Sequence, residues 1–274
     1  MIEKPISSKC GVIVFDVSIV IPTVEGRENL LERAVASINE PNLDIEILII
    51  RDGDESERQS DLVDGRSCVV RELAVHGRAA VGMKRNVGID CARGEFVAFL
   101  DDDDEFLPRK LEHQLAVMRR TLAKWSFTNY LLCEETDGWH PQNFSCRAVL
   151  RSSQDFGRNC PIAMPTVVVL RDFLNSELQF NNELTVREDV DLWTRLLHRS
   201  PVLYIPEAMS VVNRRVDAAF LAHGRRVRQA SPRKKLSQLV NRIRVRRDRR
   251  DSRTGATHLI HNDGRSVKVL GSDQ

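Results

Sequence analysis

The sequence has little of what marks membrane-spanning, secreted or zinc-binding proteins. Its 274 residues contain no run of about 18 apolar residues. The most hydrophobic stretch, Val12 to Ile21, is broken by Asp16 and Ser18, which excludes a transmembrane helix. The first residues carry Glu3, Lys4 and Pro5 without a small-residue cleavage site behind an apolar core. No secretory leader is legible, and a cytoplasmic chain is expected. The six cysteines, at 10, 68, 91, 133, 146 and 160, never fall in a C-x-x-C spacing, so free thiols are expected rather than a disulfide framework or a zinc site. Aromatic residues make up only 5% of the chain, and none lies between residues 224 and 257. No internal repeat is visible.

What is present is enough for a globular core: 42% hydrophobic and 29% charged residues. The net charge of +2 hides a segregation. Residues 1–222 sum to −9 and residues 223–274 to +11, with Arg242, Arg244, Arg246, Arg247, Arg249 and Arg250 closely spaced. Two regions follow, an α/β domain over 1–222 and a basic C-terminal extension over 223–274. Nucleic-acid binding through the arginines would need interleaved aromatics, which are missing, so nucleic acid is not the expected partner. Leu236, Leu239, Val240, Ile243 and Val245 among the arginines favour an anionic membrane surface or a partner protein, contacted through residues 224–253.

Hydrophobic periodicity alternates strands with helices in the first half. Val17–Ile21, Ile45–Ile50, Cys68–Val70 and Phe96–Leu100 read as buried strands. Leu30, Leu31, Ala34, Val35 and Ile38 predict a helix running to about Glu40, and a second helix is expected over 79–92. Pro108 opens a third, with Leu111, Leu115, Met118 and Leu122 on one face. This pattern gives a mainly parallel sheet. The second half adds strands at Trp125–Cys133, Val167–Leu170, Pro201–Ile205 and Met209–Val216, a helix over Glu188–His198, and a hairpin around Asn262-Asp263-Gly264.

The chemistry-bearing feature is Asp101-Asp102-Asp103-Asp104-Glu105, directly after the strand that ends at Leu100. Open α/β sheets bind ligands at the carboxyl ends of their strands. Adjacent carboxylates repel unless a cation is present, and a hard ion such as Mn²⁺ or Mg²⁺ suits oxygen ligands shared with substrate phosphates. A solvated acidic turn is the bland reading of the same run. Gly77 to Gly82 followed by Met83-Lys84 is a near miss of a phosphate-binding loop, with Met83 where the lysine should stand.

Four segments together, Val17-Ser18-Ile19-Val20-Ile21-Pro22-Thr23, Ile47-Leu48-Ile49-Ile50-Arg51-Asp52-Gly53, Lys84-Arg85-Asn86-Val87-Gly88-Ile89 and Phe99-Leu100-Asp101-Asp102-Asp103-Asp104, resemble the successive motifs of the family 2 glycosyltransferases with the GT-A fold. A fifth, Arg187-Glu188-Asp189-Val190-Asp191-Leu192-Trp193, resembles the family's acidic pair at a helix start. The resemblance implies a GT-A, Rossmann-like mixed sheet and a metal-dependent, inverting transfer from a nucleotide-sugar donor to a hydroxyl acceptor. By the same resemblance Pro22, Thr23, Glu25 and Arg27 line the base and ribose, and Asp52 bonds the base, pointing to a UDP-sugar, although Arg51 stands where a first aspartate is usual. Arg85 and Asn86 lie beside the donor, with Lys84 adding positive charge near the diphosphate. Asp101 and Asp102 belong to the donor site, and Asp103 is the metal ligand. Within the run, Asp102 and Asp104 are spare as D-x-D carboxylates. Asp189 is the catalytic base with Glu188 beside it, Asp191 being the other candidate. Asp217 replaces a histidine that in relatives reaches the metal or diphosphate, and aspartate can ligate the same ion. The Q-x-x-R-W signature of processive synthases is missing, so a single transfer is expected. Trp139 is a candidate sugar contact and Trp193 a core residue. The rival reading is an inactive binding module of the same fold that docks on anionic partners through the arginine tail.

Overall fold

The computed structural model describes residues 15–54, 57–62, 68–134, 138–141, 160, 162–214, 257–260 and 266–270. In chain order the first elements are β1 (Phe15–Pro22), α1 (Glu28–Ser37), β2 (Ile45–Gly53), β3 (Glu57–Leu62), β4 (Cys68–His76), α2 (Val81–Cys91) and β5 (Gly94–Phe99). There follow β6 (Glu105–Phe106), α3 (Lys110–Thr121), β7 (Trp125–Glu134), β8 (Gly138–Pro141), β9 (Val167–Leu170), α4 (Glu188–Arg199), β10 (Val202–Arg214), β11 (Thr257–Ile260) and β12 (Ser266–Leu270).

All twelve strands join one sheet, ordered β12-β11-β10-β7-β9-β5-β1-β2-β4-β3, with β6 on β10 and β8 on β7. β1 pairs in parallel with β2 and β5, β2 with β4, and β7 with β10. The other pairs are antiparallel, including β9 between β5 and β7, so the sheet is mixed. The expected parallel half is thus edged by an antiparallel strand, β3, which the sequence did not announce.

Strands buried on both faces carry near-continuous apolar runs, and β1 and β2 show this over 19–21 and 47–50, with Ser18 and Glu46 as buried polar exceptions. Val20, Leu48, Ile50 and Phe99 pack on one face against Ile89 of α2 and Leu192, Trp193, Leu196 and Leu197 of α4. Ile19, Ile21, Ile47, Ile49 and Leu100 pack on the other, against Leu31 and Ala34 of α1 and Leu111, Leu115 and Met118 of α3. Two glycines permit close approach. A Cβ on Gly88 would lie 2.4 Å from Val20 Cγ1, so α2 seats directly on β1. A Cβ on Gly94 would lie 2.5 Å from the Ser18 nitrogen.

Several boundaries differ from expectation. The strand at Cys68 continues to His76, and the first helix stops at Ser37, short of Glu40. Glu40 is used otherwise: its carboxylate accepts the Leu111 and Glu112 N–H groups and caps α3. Leu122 is 87% exposed, because it forms the left-handed C-cap of α3 at φ 56° instead of extending its apolar face. The two strands expected at 201–205 and 209–216 are one, β10, whose register shifts between Ile205 and Ser210. β11 and β12 pair antiparallel, and the turn expected at Asn262-Asp263-Gly264 lies outside the described residues. Asp217 and the arginine-rich segment 224–253 lie outside the described residues. Among the described residues no disulfide joins Cys68, Cys91, Cys133 and Cys160 to one another.

Candidate active site

The site forms where β1, β2 and β5 end side by side. Thr23 N–H donates to the Ile50 carbonyl at 2.9 Å and Leu100 N–H to the Val20 carbonyl at 3.1 Å, which brings the three strand ends level. Pro22 ends β1, buried opposite Ile50. The chain then turns at Gly26, where φ is +83°, leaving Glu25 exposed and returning Arg27 toward the acidic run.

The acidic run is sorted by exposure. Side chains of Asp101 and Asp103 are 31% and 24% exposed, whereas Asp102 is 7% exposed and Asp104 is buried. Asp102 accepts the Thr23 hydroxyl at 2.7 Å and the Arg27 guanidinium at 2.6 Å. Burial raises its pKa above the ordinary carboxylate range, with these partners working against the rise. Asp104 accepts the Asn213 N–H at 2.8 Å, tying the run to β10. Burial, reinforced by Asp101 and Asp103, lifts its carboxyl well above the usual range. Neither residue is therefore spare: both hold the loop that presents Asp101 and Asp103.

Arginines compensate the carboxylates. Arg27 Nη2 bridges Asp102 and Asp103, at 2.6 and 2.7 Å, and Arg33 pairs with Glu105 at 3.1 Å. Arg85 is buried in α2 and joins two parts of the site. Its Nη2 donates to Asp101 at 2.6 Å and its Nη1 to Glu188 at 2.7 Å. Desolvation alone would lower its pKa, but Asp101 and Glu188 outweigh it and raise the value. The first of the two α4 acids, expected as a partner in catalysis, is thus engaged as an anchor for Arg85.

Asp189 lies beside it, half-buried, with the Val190 N–H donating to its Oδ1 at 2.7 Å. Burial raises its pKa, with Glu188 adding to the rise against the Val190 N–H. Asp191 faces other partners: it holds Arg195 at 2.6 Å, and Arg195 donates on to the Glu177 and Gln179 carbonyls. An open cleft of about 390 Å³ is lined by Arg85, Asp101, Asp104, Glu188 and Asp189, with Val81, Val186 and Val212 among its apolar walls. Asp191 is not among its lining residues.

Two neighbours of Arg85 depart from the expected roles. Asn86 donates to the Phe180 carbonyl at 2.8 Å and accepts the Phe180 N–H at 2.8 Å, clamping the segment that leads to α4. Lys84 does not offer its charge toward the acidic run. It is 3% exposed and its ammonium donates to Asp52 Oδ1 at 2.8 Å and to the Thr23 carbonyl at 2.9 Å. Asp52 also accepts the Ala79 N–H at 3.0 Å. Partial burial would raise the Asp52 pKa, but Lys84 and Ala79 outweigh it and hold the carboxyl below its usual value. Sequence reasoning missed this pair, since a lysine in a helix gives no sign of being buried. Trp193 packs in the core, stacked on Trp125 at 6.2 Å. Trp139 lies in β8.

The donor set suits a hard cation held jointly with phosphate. Among the described residues no group of three or more potential protein ligands forms a cage. Asp101 and Asp103 are the two partly exposed carboxylates of the run, each paired with an arginine, and Mg²⁺ or Mn²⁺ takes one or two carboxylates when substrate phosphates and water complete its shell.

Comparison with known proteins follows the same residues. A glycosyl transferase family 2 model matches residues 18–176. An uncharacterized glycosyltransferase of Rickettsia bellii is 30% identical over 207 residues, covering 73% of this chain and 29% of that protein. The chain spans about three tenths of the length of the three Rickettsia relatives it matches first. The Escherichia coli UDP-Glc:α-D-GlcNAc-diphosphoundecaprenol β-1,3-glucosyltransferase WfgD is 24% identical over 185 residues, covering 66% of this chain and 69% of that one. S. aureus TarS 1–349 in complex with UDP superposes with a TM-score of 0.54 at 15% identity, covering 73% of this chain and 60% of that one, a likeness of fold. The matched span carries Thr23, Asp52, Arg85 and Asp101–Asp104 on the strand ends and helix described above, and the chain belongs to glycosyltransferase family 2.

Proposed function

We propose that the chain transfers a single sugar from a UDP-sugar to a hydroxyl acceptor, with inversion at the anomeric carbon and dependence on Mn²⁺ or Mg²⁺. The observation that carries this reading is Arg85, whose two bonds hold Asp101 of the acidic run and Glu188 of α4 on one cleft. Donor chemistry and acceptor chemistry must meet within bonding distance, and this guanidinium fixes the two halves against each other.

In this reading Pro22, Thr23 and Asp52 receive the nucleoside, while Asp101 and Asp103 hold the cation. The cation, when bound, neutralises charge on the departing diphosphate. Asp189 accepts the proton of the attacking hydroxyl, its pKa lifted by burial so that it is a stronger base than a solvated carboxylate. Attack from the face opposite the diphosphate needs no covalent sugar–enzyme intermediate.

Relatives that act on undecaprenol-linked substrates support an acceptor of the cell-surface glycan class, displayed at a membrane. Among the described residues no helix is long and apolar enough to cross a membrane. The basic segment 224–253 is then the means of attachment to anionic lipid, and the protein works at the cytoplasmic membrane face. Sedimentation with anionic vesicles should fall several-fold when residues 224–253 are deleted; equal pelleting would end that part of the proposal.

The test of the reaction is turnover of UDP-sugars against lipid-linked and free sugar acceptors. Asp189→Asn should keep UDP affinity within about twofold and lower kcat by ~10²-fold or more. Undiminished turnover in that variant would remove Asp189 from the role of base.

A further inference from the structure

Lys84 is a buried cation that the proposed reaction leaves unused. It sits in the first turn of α2 and links the elements that build the donor site: β1 through the Thr23 carbonyl and β2 through Asp52. Both of its bonds are short, 2.9 and 2.8 Å, and the residue is 3% exposed. Water therefore cannot replace either partner cheaply.

The pattern of bonds on Asp52 is one-sided. Oδ1 takes both the Ala79 N–H and the Lys84 ammonium. Oδ2 has no hydrogen bond among the described residues, and the side chain keeps 23% exposure. An ionised carboxylate oxygen is an acceptor only. A base edge placed against it must offer an N–H: uracil, thymine and guanine do so at their imino nitrogen, while cytosine presents a lone pair at that position.

We propose that Lys84 is a positioning residue for nucleobase selection, which holds Oδ1 of Asp52 so that Oδ2 alone meets the base and discriminates imino bases from cytosine. This inference rests on the donor-site reading above and adds a determinant to it. Without the ammonium, Asp52 is held by the Ala79 N–H alone, and the Thr23 carbonyl loses its buried partner. The selective contact then weakens, whereas cytosine gains nothing from an ordered acceptor and loses little. In the donor-site reading the diphosphate meets the cation held by Asp101 and Asp103, which Lys84 does not bond, so its contribution to affinity stays.

The experiment is calorimetric titration of UDP and CDP, each with Mn²⁺, into the full chain as wild type, Lys84→Met, Lys84→Gln, Asp52→Asn and the Lys84→Met/Asp52→Asn double variant. Wild type should prefer UDP, and Lys84→Met should narrow the UDP:CDP affinity ratio about tenfold or more, almost wholly by weakening UDP. The double variant should discriminate no less than Asp52→Asn alone, because both substitutions remove one interaction. Should Lys84→Met fail to fold, Lys84→Gln, whose shorter and uncharged amide cannot make both bonds, carries the same test and should narrow the ratio in the same direction. Parallel loss of UDP and CDP affinity, or an unchanged ratio, would overturn the inference while leaving the donor site standing. Absence of nucleotide binding in wild type would overturn both.

Discussion

Single residues decide the balance of charge in this protein. Away from the cleft, Glu46 is fully buried on β2 and accepts Arg71 at 2.8 Å, the Ser18 hydroxyl at 2.6 Å and the Arg93 N–H at 2.9 Å. Arg71 also donates to the Cys91 carbonyl at 3.0 Å, compensating the last turn of α2. Breaking such a pair from one side leaves a buried charge uncompensated. Arg71→Met should therefore destabilise the fold by about 3–5 kcal/mol, read as a shift in the urea midpoint. A change below about 1 kcal/mol would show that Glu46 finds another partner. At this scale the sequence was only partly legible. Asp101, Asp103, Asp189 and Arg85 stood out because their spacing follows a known pattern. The burial of Lys84, the bridge from Arg27 to Asp102 and Asp103, and the engagement of Asp104 by Asn213 depend on contacts between residues about 30 to 110 positions apart, for which no local signal exists.

Among the elements, α2 carries the most function, since Lys84, Arg85 and Asn86 lie within one turn. Its seat on β1 depends on Gly88, which a sequence reading treats only as a tolerated helix weakness. Gly88→Ala places a Cβ 2.4 Å from Val20 Cγ1 and should cost about 1–3 kcal/mol through overpacking. Adding Val20→Ala should restore part of the loss. No recovery in the double variant would mean that the conflict lies elsewhere.

α3 holds a second buried lysine, Lys110, whose Nζ donates to Gln114 at 2.7 Å and lies 4.5 Å from the Phe106 ring centroid. Burial pushes its pKa down to about 7, against an opposing pull from Glu40. The unfolded lysine titrates near 10.4. Between pH 7 and about 10 the unfolded chain keeps a proton that the folded chain sheds, so this group makes stability rise with pH across that window. Melting temperatures of wild type and Lys110→Met over pH 7 to 10 check this: the wild-type curve should rise relative to the variant. Parallel curves would mean that Lys110 stays charged in the fold. Strand and helix identities were legible where periodicity was long. β3, β6 and β8 were missed, because short strands that pair at a sheet edge carry little pattern of their own.

For the whole molecule, one mixed sheet brings distant segments to a common edge. β1, β2 and β5 end side by side because they are parallel neighbours, and α4 meets the acidic run that follows β5 because Arg85 and Asn86 hold Glu188 and the Phe180 segment. The fold class was legible from the alternation of strands and helices, and the family from the order of its motifs. The antiparallel placement of β9 between β5 and β7 was not, since the pairing of a strand depends on where the sheet has an open edge.

In the proposed reading the strand ends form a metal-assisted UDP-sugar site. Calorimetric titration of UDP, GDP, CDP and dTDP, with Mn²⁺ and with chelator, into wild type and Asp103→Asn tests it most directly. UDP should bind best, chelator should weaken it at least tenfold, and Asp103→Asn should do the same. Failure of every nucleotide to bind wild type in the presence of Mn²⁺ would contradict it, leaving a family member that keeps the fold without the chemistry.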